Sequence, residues 1–256
     1  MKKLLAIVLT LIMLFSFAGC GAEKPDSEAI KDAGKIVVGI TDYAPMDYKE
    51  EGSDEWTGFD AEFARLFAKE LGVEVEFIEI DWDNKFLELE SKSIDCIWNG
   101  MTITEEALQN ASVSDPYVRN AQVLVMKADK IAEYTDGEKT KDLVFAVEKG
   151  SAGEDAIKEN RYKSINAVDL QSTALMEVAA GTADATVIDI TMANAMIGEG
   201  TSYANLAKGF ELTSEEYGVA FRKGSDLTEK FNTFMESNKD TDLKNLAAKY
   251  ELTLAN

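Results

Sequence analysis

Runs of apolar residues with strand and helix periods alternate along the first half of the chain. Residues 35–40 form a short apolar run that ends in turn residues, which predicts a buried strand. Apolar side chains recur at helical spacing over 59–71, and Gly72 follows where a helix C-cap belongs. The same reasoning predicts strands at 73–77 and 94–98 and helices at 86–89 and 104–111. This order indicates parallel βαβ units.

The pattern then begins again. It predicts strands at 121–126, 143–147, 185–190 and 217–221, and helices opening at 150–153 and over 173–180, 225–237 and 242–250. Two successive α/β units suggest two lobes. Ligands of open α/β sheets lie beyond the carboxyl ends of the strands, so two facing lobes would form a binding cleft.

Composition excludes several classes of function. The chain has 256 residues, 46% of them hydrophobic, which is too apolar for a disordered protein. With 47 acidic and 26 basic residues the net charge is -21, which argues against nucleic acid as a partner. There is no histidine, which removes Ser-His and Cys-His catalysis and histidine-ligated metals. Two cysteines provide neither a disulfide framework nor a zinc ribbon. We expect a binding protein, or an enzyme built from carboxylates, without cofactor or metal.

Residues 1–19 have the features of a leader peptide. Two lysines precede an apolar run of about 14 residues, which is too short to span a bilayer comfortably. Small residues then precede Cys20, and the segment resembles a bacterial lipobox with Phe17 in place of the usual leucine. The resemblance implies cleavage before Cys20, a lipid on its sulfur and anchoring to the cell membrane. An ordinary secretory signal is the alternative. Polar residues 20–33 are predicted to be a tether.

Five segments resemble the family 3 polar amino-acid-binding proteins of ABC importers, in register from about residue 34 to 251. They are GKIVVGITDYAPMDY (34–48), WTGFDAEFARLFAKELG (56–72), IDCIWNGMTITEEALQNASVSDPY (94–117), GTADATVID (181–189) and YGVAFRKG (217–224). The resemblance implies a two-lobed α/β fold of the type II periplasmic-binding-protein class, with two hinge strands. It places 34–118 plus 217–256 in lobe 1 and 121–213 in lobe 2. It also implies a monomer whose closed form meets an ABC permease.

The resemblance also implies where the first lobe binds its ligand. Tyr43 and Trp56 would be aromatic walls around the ligand, although core packing is the alternative for both. Asp42 would take a positive side-chain group or cap a turn. Trp98 would form a floor under the ligand or fill the core of the lobe.

The remaining predicted ligand-binding residues come from both lobes. Asn99, Gly100 and Thr102 match a strand end that touches the ligand, where glycine allows close approach of the backbone. Ser151 matches a hydroxyl at a helix N-terminus, which is an anion site. Asp189 matches the carboxylate that takes the ligand's α-ammonium, with a helix N-cap as its alternative role.

One position departs from the family pattern. Where the family usually carries an arginine that holds the ligand's α-carboxylate, this chain has Ala107. Two ligand classes therefore stay open: a polar α-amino acid held by a weaker carboxylate clamp, and a cationic amine that lacks an α-carboxylate.

Two other classes of function use the same fold. A cyclohexadienyl-dehydratase-like enzyme would need a carboxylic acid with a raised pKa, and nothing in the sequence singles one out. A sensory domain would sit on a signalling chain. The sequence favours a binding protein, and no residue is predicted to be catalytic.

Overall fold

A computed structural model describes residues 24–255. The predicted leader peptide and Cys20 lie outside these residues. Within residues 24–255, no helix combines the length and the apolar character needed to cross a bilayer.

The described residues form fourteen strands and ten α-helices. The strands are β1 (Lys35–Ile40), β2 (Tyr48–Lys49), β3 (Trp56–Thr57), β4 (Glu74–Glu79), β5 (Cys96–Ile97), β6 (Ser112–Val113), β7 (Val118–Asn120), β8 (Gln122–Lys127), β9 (Val144–Glu148), β10 (Ser164–Val168), β11 (Ala185–Asp189), β12 (Leu206–Glu211), β13 (Glu215–Tyr217) and β14 (Ala220–Phe221). The helices are α1 (Asp26–Ala33), α2 (Phe59–Leu71), α3 (Lys85–Glu90), α4 (Glu105–Asn110), α5 (Gly137–Thr140), α6 (Ala152–Glu159), α7 (Gln171–Ala180), α8 (Ile190–Met196), α9 (Leu227–Asn238) and α10 (Asp242–Lys249).

The first sheet has five strands in the order β4-β1-β5-β14-β6. β1 runs parallel to β4 and β5, whereas β14 is antiparallel to both of its neighbours. Four of the six residues of β1 are buried, which fits a strand covered on both faces. The apolar run at 35–40 therefore forms the predicted strand.

Helix α2 supplies much of the core of this lobe. Phe59, Phe63 and Phe67 are buried on one of its faces, as their helical spacing predicts. Each buried phenylalanine side chain stabilises the fold by about 1.5–3 kcal/mol. The helix ends at Gly72, whose left-handed conformation (φ 74°) lets its N–H donate to the carbonyls of the last turn.

The second sheet also has five strands, in the order β10-β9-β11-β8-β12. β9, β10 and β11 are parallel, while β8 is antiparallel to β11 and β12. β8 and β11 are buried along almost their whole length. Helices α6 and α7 contact this sheet.

Strands β7 and β13 connect the two sheets. They pair with each other in antiparallel register, with Asn120 opposite Glu215 and Val118 opposite Tyr217. β7 leads directly into β8, and β13 leads back to β14 of the first sheet. The predicted two-lobed α/β fold with two hinge strands is confirmed.

The segment predicted to be a polar tether differs from the prediction. Residues 26–33 form α1, of which only Ser27 and Ile30 are buried. Side chains distant in sequence hold the helix in place. Asp226 accepts hydrogen bonds from Ser27, and Arg222 forms an ion pair with Asp26. Two buried residues in eight are too few to give a helical pattern in the sequence.

Candidate functional site

A cleft lies between the two sheets, at the carboxyl ends of their strands. Thr41 follows β1 and Asn99 lies two residues after β5, whereas Glu148 ends β9 and Asp189 ends β11. All four residues line the cleft. The carboxyl ends of strands from both lobes therefore meet at this cleft, and open α/β sheets bind their ligands at such strand ends.

Six of the nine ligand-binding residues predicted from the sequence line this cleft. They are Tyr43, Asn99, Gly100, Thr102, Ser151 and Asp189. Four come from the first lobe and two from the second, so the predicted halves of the site face each other.

Asp189 is a buried acid of the cleft. Its carboxylate accepts hydrogen bonds from Gln122 (3.0 Å), Gln171 (2.5 Å), Tyr217 (2.8 Å) and Asn120. Burial raises the pKa of this carboxyl to about 7, and the nearby charge of Glu215 acts in the same direction. None of the four donors is charged. Asp189 stands at the N-cap position of α8, as the alternative role predicts, but its side chain forms no capping hydrogen bond there.

The cleft is acidic. Burial raises the pKa of Glu148 to about 8, and the charge of Asp189 adds to this rise. Asp155 and Glu106 also line the cleft, and burial raises the pKa of Asp155. Four acids therefore face a single cationic side chain among the described lining residues, Lys85. Such a lining favours ligands that carry positive charge.

The β5–α4 segment presents backbone and small side chains to the cleft. The Asn99 amide bridges the backbone N–H and carbonyl of Thr41, both at 3.0 Å, and so fixes the end of β1. Gly100 has φ 55°, and a Cβ there would lie 2.6 Å from the ring of Tyr43. Thr102 donates to Glu215 at 2.8 Å, which ties the segment to β13.

Tyr43 and Ser151 both have internal partners. The Tyr43 hydroxyl lies 2.5 Å from the hydroxyls of Thr191 and Tyr217. Ser151 caps α6 by accepting from the Glu154 N–H at 3.1 Å, and its hydroxyl donates to the Glu148 carbonyl at 2.7 Å. Each residue therefore shapes the cleft wall, and Ala152, the first residue of α6, lines the cleft as well. The N–H groups of a first helical turn have no intrahelical partners.

Three predicted site residues lie outside the lining. Trp98 is buried in the core, where its ring centroid lies 4.8 Å from that of Phe231. Trp56 sits in the β2–β3 hairpin with the Lys49 ammonium 4.4 Å from its ring centroid. Asp42 is exposed. The floor role of Trp98 is corrected to core packing, and the polar loop around Trp56 folds as a surface hairpin. Neither Trp56 nor Asp42 reaches the cleft.

Sequence reasoning missed two aromatic residues of the cleft. Trp82 lines it from the connection between β4 and α3, and Phe86 lines it from the first turn of α3. Trp82 stands in a 3₁₀ turn, Trp82–Asn84, just after β4 ends. The expectation that ligands lie beyond the carboxyl ends of the strands, applied to β4, would have identified Trp82.

Comparison with known proteins agrees with this geometry. The model of the bacterial extracellular solute-binding proteins, family 3, matches residues 36–253. The arginine-binding extracellular protein ArtP of Bacillus subtilis is 31% identical over 98% of each chain. The glutamine-binding ABC transporter protein GlnH of Bacillus subtilis is 32% identical over 93% of each chain. The L-cystine-binding protein TcyJ of Escherichia coli K12 is 31% identical, covering 86% of this chain and 84% of its own.

Solved structures give the same result. The ancestral amino acid-binding protein AncCDT-1, a precursor of cyclohexadienyl dehydratase, superposes with a TM-score of 0.80 at 32% identity, covering 88% of this chain and 99% of its own. Holo ArgBP from T. maritima has a TM-score of 0.78 at 31% identity, covering 87% of this chain and 98% of its own. The chain belongs to family 3 of the bacterial extracellular solute-binding proteins.

Proposed function

We propose that this protein is the extracytoplasmic substrate-binding component of an ABC importer, and that a polar amino acid binds in the cleft. The proposal rests chiefly on the environment of Asp189. Asp189 is a buried carboxylate at the cleft whose hydrogen-bond donors are all neutral, in a chain of this family. A buried charge without a counter-charge is costly, and a ligand ammonium would supply that charge.

The other lining residues support a ligand of amino-acid size and charge. Thr102 lines the cleft with its hydroxyl bonded to Glu215, and the N-terminus of α6 offers N–H donors for a carboxylate. Trp82 and Phe86 offer flat apolar faces for a side chain. The acidic lining supports a cationic side chain, and the names of relatives include arginine-, cystine-, glutamine- and histidine-binding proteins.

A cationic amine without an α-carboxylate is the second candidate. The observation in its favour is Ala107, which lines the cleft where an arginine would meet a carboxylate. Among the described lining residues no arginine is present. An amine would satisfy Asp189 and Glu148 without needing that guanidinium.

We infer that the cleft binds without turnover, because the curated relatives named above are binding proteins. Because AncCDT-1 is a precursor of a dehydratase, dehydratase activity is the enzymatic activity to test for. We also propose that the protein is a monomer, that it is anchored through Cys20 and that it delivers its ligand to a permease. Lobe 1 would be formed by 34–118 plus 217–256, and lobe 2 by 121–213.

A ligand screen tests the proposal. The purified protein is scanned by thermal shift against the twenty amino acids, cystine and a set of biogenic amines, and hits are measured by calorimetry. We expect at least one polar amino acid to bind and to be recovered unchanged by mass spectrometry. Binding of amines alone would favour the second candidate. A product peak after incubation with a cyclohexadienyl substrate would contradict the binding role.

A further inference from the structure

Lys85 is the one cationic side chain among the described residues that line the cleft. It opens α3 directly after the turn that carries Trp82. Only 6% of its surface is exposed. Lysines are rarely buried to this extent unless they are paired, so the position of this side chain calls for a partner.

The partners that Lys85 has in the structure are neutral. Its ammonium donates to the carbonyl of Gly150 at 2.8 Å and to that of Trp82 at 3.2 Å. No carboxylate of residues 24–255 forms an ion pair with it, although Glu106, Glu148 and Asp155 are near enough to influence its charge. An ammonium has three N–H donors, so one remains beyond the two carbonyl bonds.

The bond from Lys85 to Gly150 crosses the cleft. Lys85 belongs to the connection that leaves β4 of the first sheet, whereas Gly150 follows β9 of the second. The ammonium therefore lies beside the start of α6, where the N–H groups of its first turn also favour an anion. A positive charge and a helix N-terminus thus face the same part of the cleft from opposite lobes.

The wall around Lys85 contains no competing cation. Ala107 and Thr104 line the cleft with it, and neither carries a charge. A cationic group of the ligand would compensate the charge of the acids in the cleft, and an anionic group would compensate the charge of Lys85. A zwitterion satisfies both, while a simple amine satisfies only the acids.

We propose that Lys85 binds the α-carboxylate of the ligand and so selects amino acids over the corresponding amines. The inference rests on the proposed function, because it assumes that an amino acid occupies the cleft. Lys85, on α3, would then supply the positive charge that is absent at Ala107. A lysine can do this because its ammonium forms charge-assisted hydrogen bonds with a carboxylate.

The experiment compares each amino acid with its decarboxylated form. The probes are L-arginine and agmatine, L-histidine and histamine, L-glutamine and 4-aminobutanamide, and L-cystine and cystamine. Calorimetry measures their affinities for the wild type, for Lys85→Met and for Lys85→Arg. Lys244→Met is the matched control, since Lys244 is exposed on α10. Thermal unfolding of each variant checks that it is folded.

We expect Lys85→Met to weaken amino-acid binding about ten- to a hundredfold, the effect of one charge-assisted hydrogen bond. Amine binding should stay unchanged or become tighter, because a buried positive charge has been removed. Lys85→Arg should retain most of the preference for the amino acid, and Lys244→Met should behave as the wild type.

Two results would overturn the inference while leaving the proposed function intact. In the first, Lys85→Met binds the amino acid as tightly as the wild type does. In the second, amino acid and amine lose affinity equally, which would make Lys85 only a bridge between the lobes. Failure of the wild type to bind any amino acid would instead refute the proposed function, and the inference with it.

Discussion

Two buried acids of the cleft, Asp189 and Glu148, and the buried Asp60 of α2 predict an unusual pH dependence for the ligand-free protein. Burial raises the pKa of Asp189 and Asp60 to about 7 and that of Glu148 to about 8. In the unfolded chain such groups ionise near pH 4. Between about pH 4 and pH 7–8 the folded chain therefore binds more protons than the unfolded chain. The free energy of unfolding must then fall as the pH rises through this window.

The magnitude for Asp189 follows from these values. The gap between the ordinary pKa of 3.8 and about 7 corresponds to about 4 kcal/mol in all, since each unit is worth about 1.4 kcal/mol. The part of this gap that lies above pH 5 is worth about 3 kcal/mol. For a chain of this size 1 kcal/mol moves the melting temperature by about 2–4 °C. We expect the melting temperature of the wild type to drop by on the order of 10 °C or more between pH 5 and pH 8.5.

The variant Asp189→Asn isolates this contribution, because an asparagine cannot ionise. Differential scanning calorimetry across pH 5–8.5 should show a smaller drop for this variant, with the other buried acids, among them Asp47, Asp60 and Glu148, responsible for the remainder. Asp54→Asn is the control, since Asp54 is an exposed acid in a loop. Its pH profile should match the wild type. A profile of Asp189→Asn that parallels the wild type, or a melting temperature that rises with pH, would refute the reasoning.

The same carboxyl links pH to ligand binding. A ligand ammonium interacts best with ionised Asp189, so binding below pH 7 should release a proton. Calorimetry in two buffers of different ionisation enthalpy measures that release directly, and Asp189→Asn should reduce it, leaving the contribution of Glu148. In addition, the variant should bind the ligand at least tenfold more weakly at pH 8, as the loss of a charged hydrogen bond requires.

Two further predictions concern individual residues of the cleft. A fluorescence change on ligand binding should come from Trp82: Trp82→Phe should remove it, while Trp56→Phe should keep it, and persistence of the full signal in Trp82→Phe would place the ligand elsewhere. Gly100→Ala should destabilise the fold by about 1–3 kcal/mol in chemical denaturation, because the new Cβ would meet the Tyr43 ring in a left-handed backbone. Gly52→Ala has a similar φ but open space around the Cβ, so it should cost less; equal costs would show that the Tyr43 contact is unimportant.

Periodicity was sufficient to predict the elements that bury a full face. The strand at Lys35–Ile40 and the helix at Phe59–Leu71 are buried where their patterns predict. Helix α1 escaped prediction because its position depends on Arg222 and Asp226, about two hundred residues away in sequence. A local pattern cannot contain a contact of that kind.

The site was predicted in part for a related reason. Asn99 and Asp189 follow buried strands, and their polarity stands out against the apolar residues before them. Trp82 and Lys85 lack this contrast, since an aromatic and a lysine after a strand are ordinary on any surface. Trp56 and Trp98 show the converse error: both are the right residue type, but hairpin formation and core packing place them away from the cleft.

The hydrogen bonds that Asp189 accepts from the hinge strands have a consequence for evolution and engineering. Two of its donors, Asn120 and Tyr217, belong to β7 and β13, the two hinge strands that join the lobes. Any substitution there alters the acid's environment together with the mechanics of bending. Selection experiments on transport should therefore yield changes in substrate preference from residues that do not contact the ligand. Variants of the hinge strands should be assayed for specificity as well as for motion.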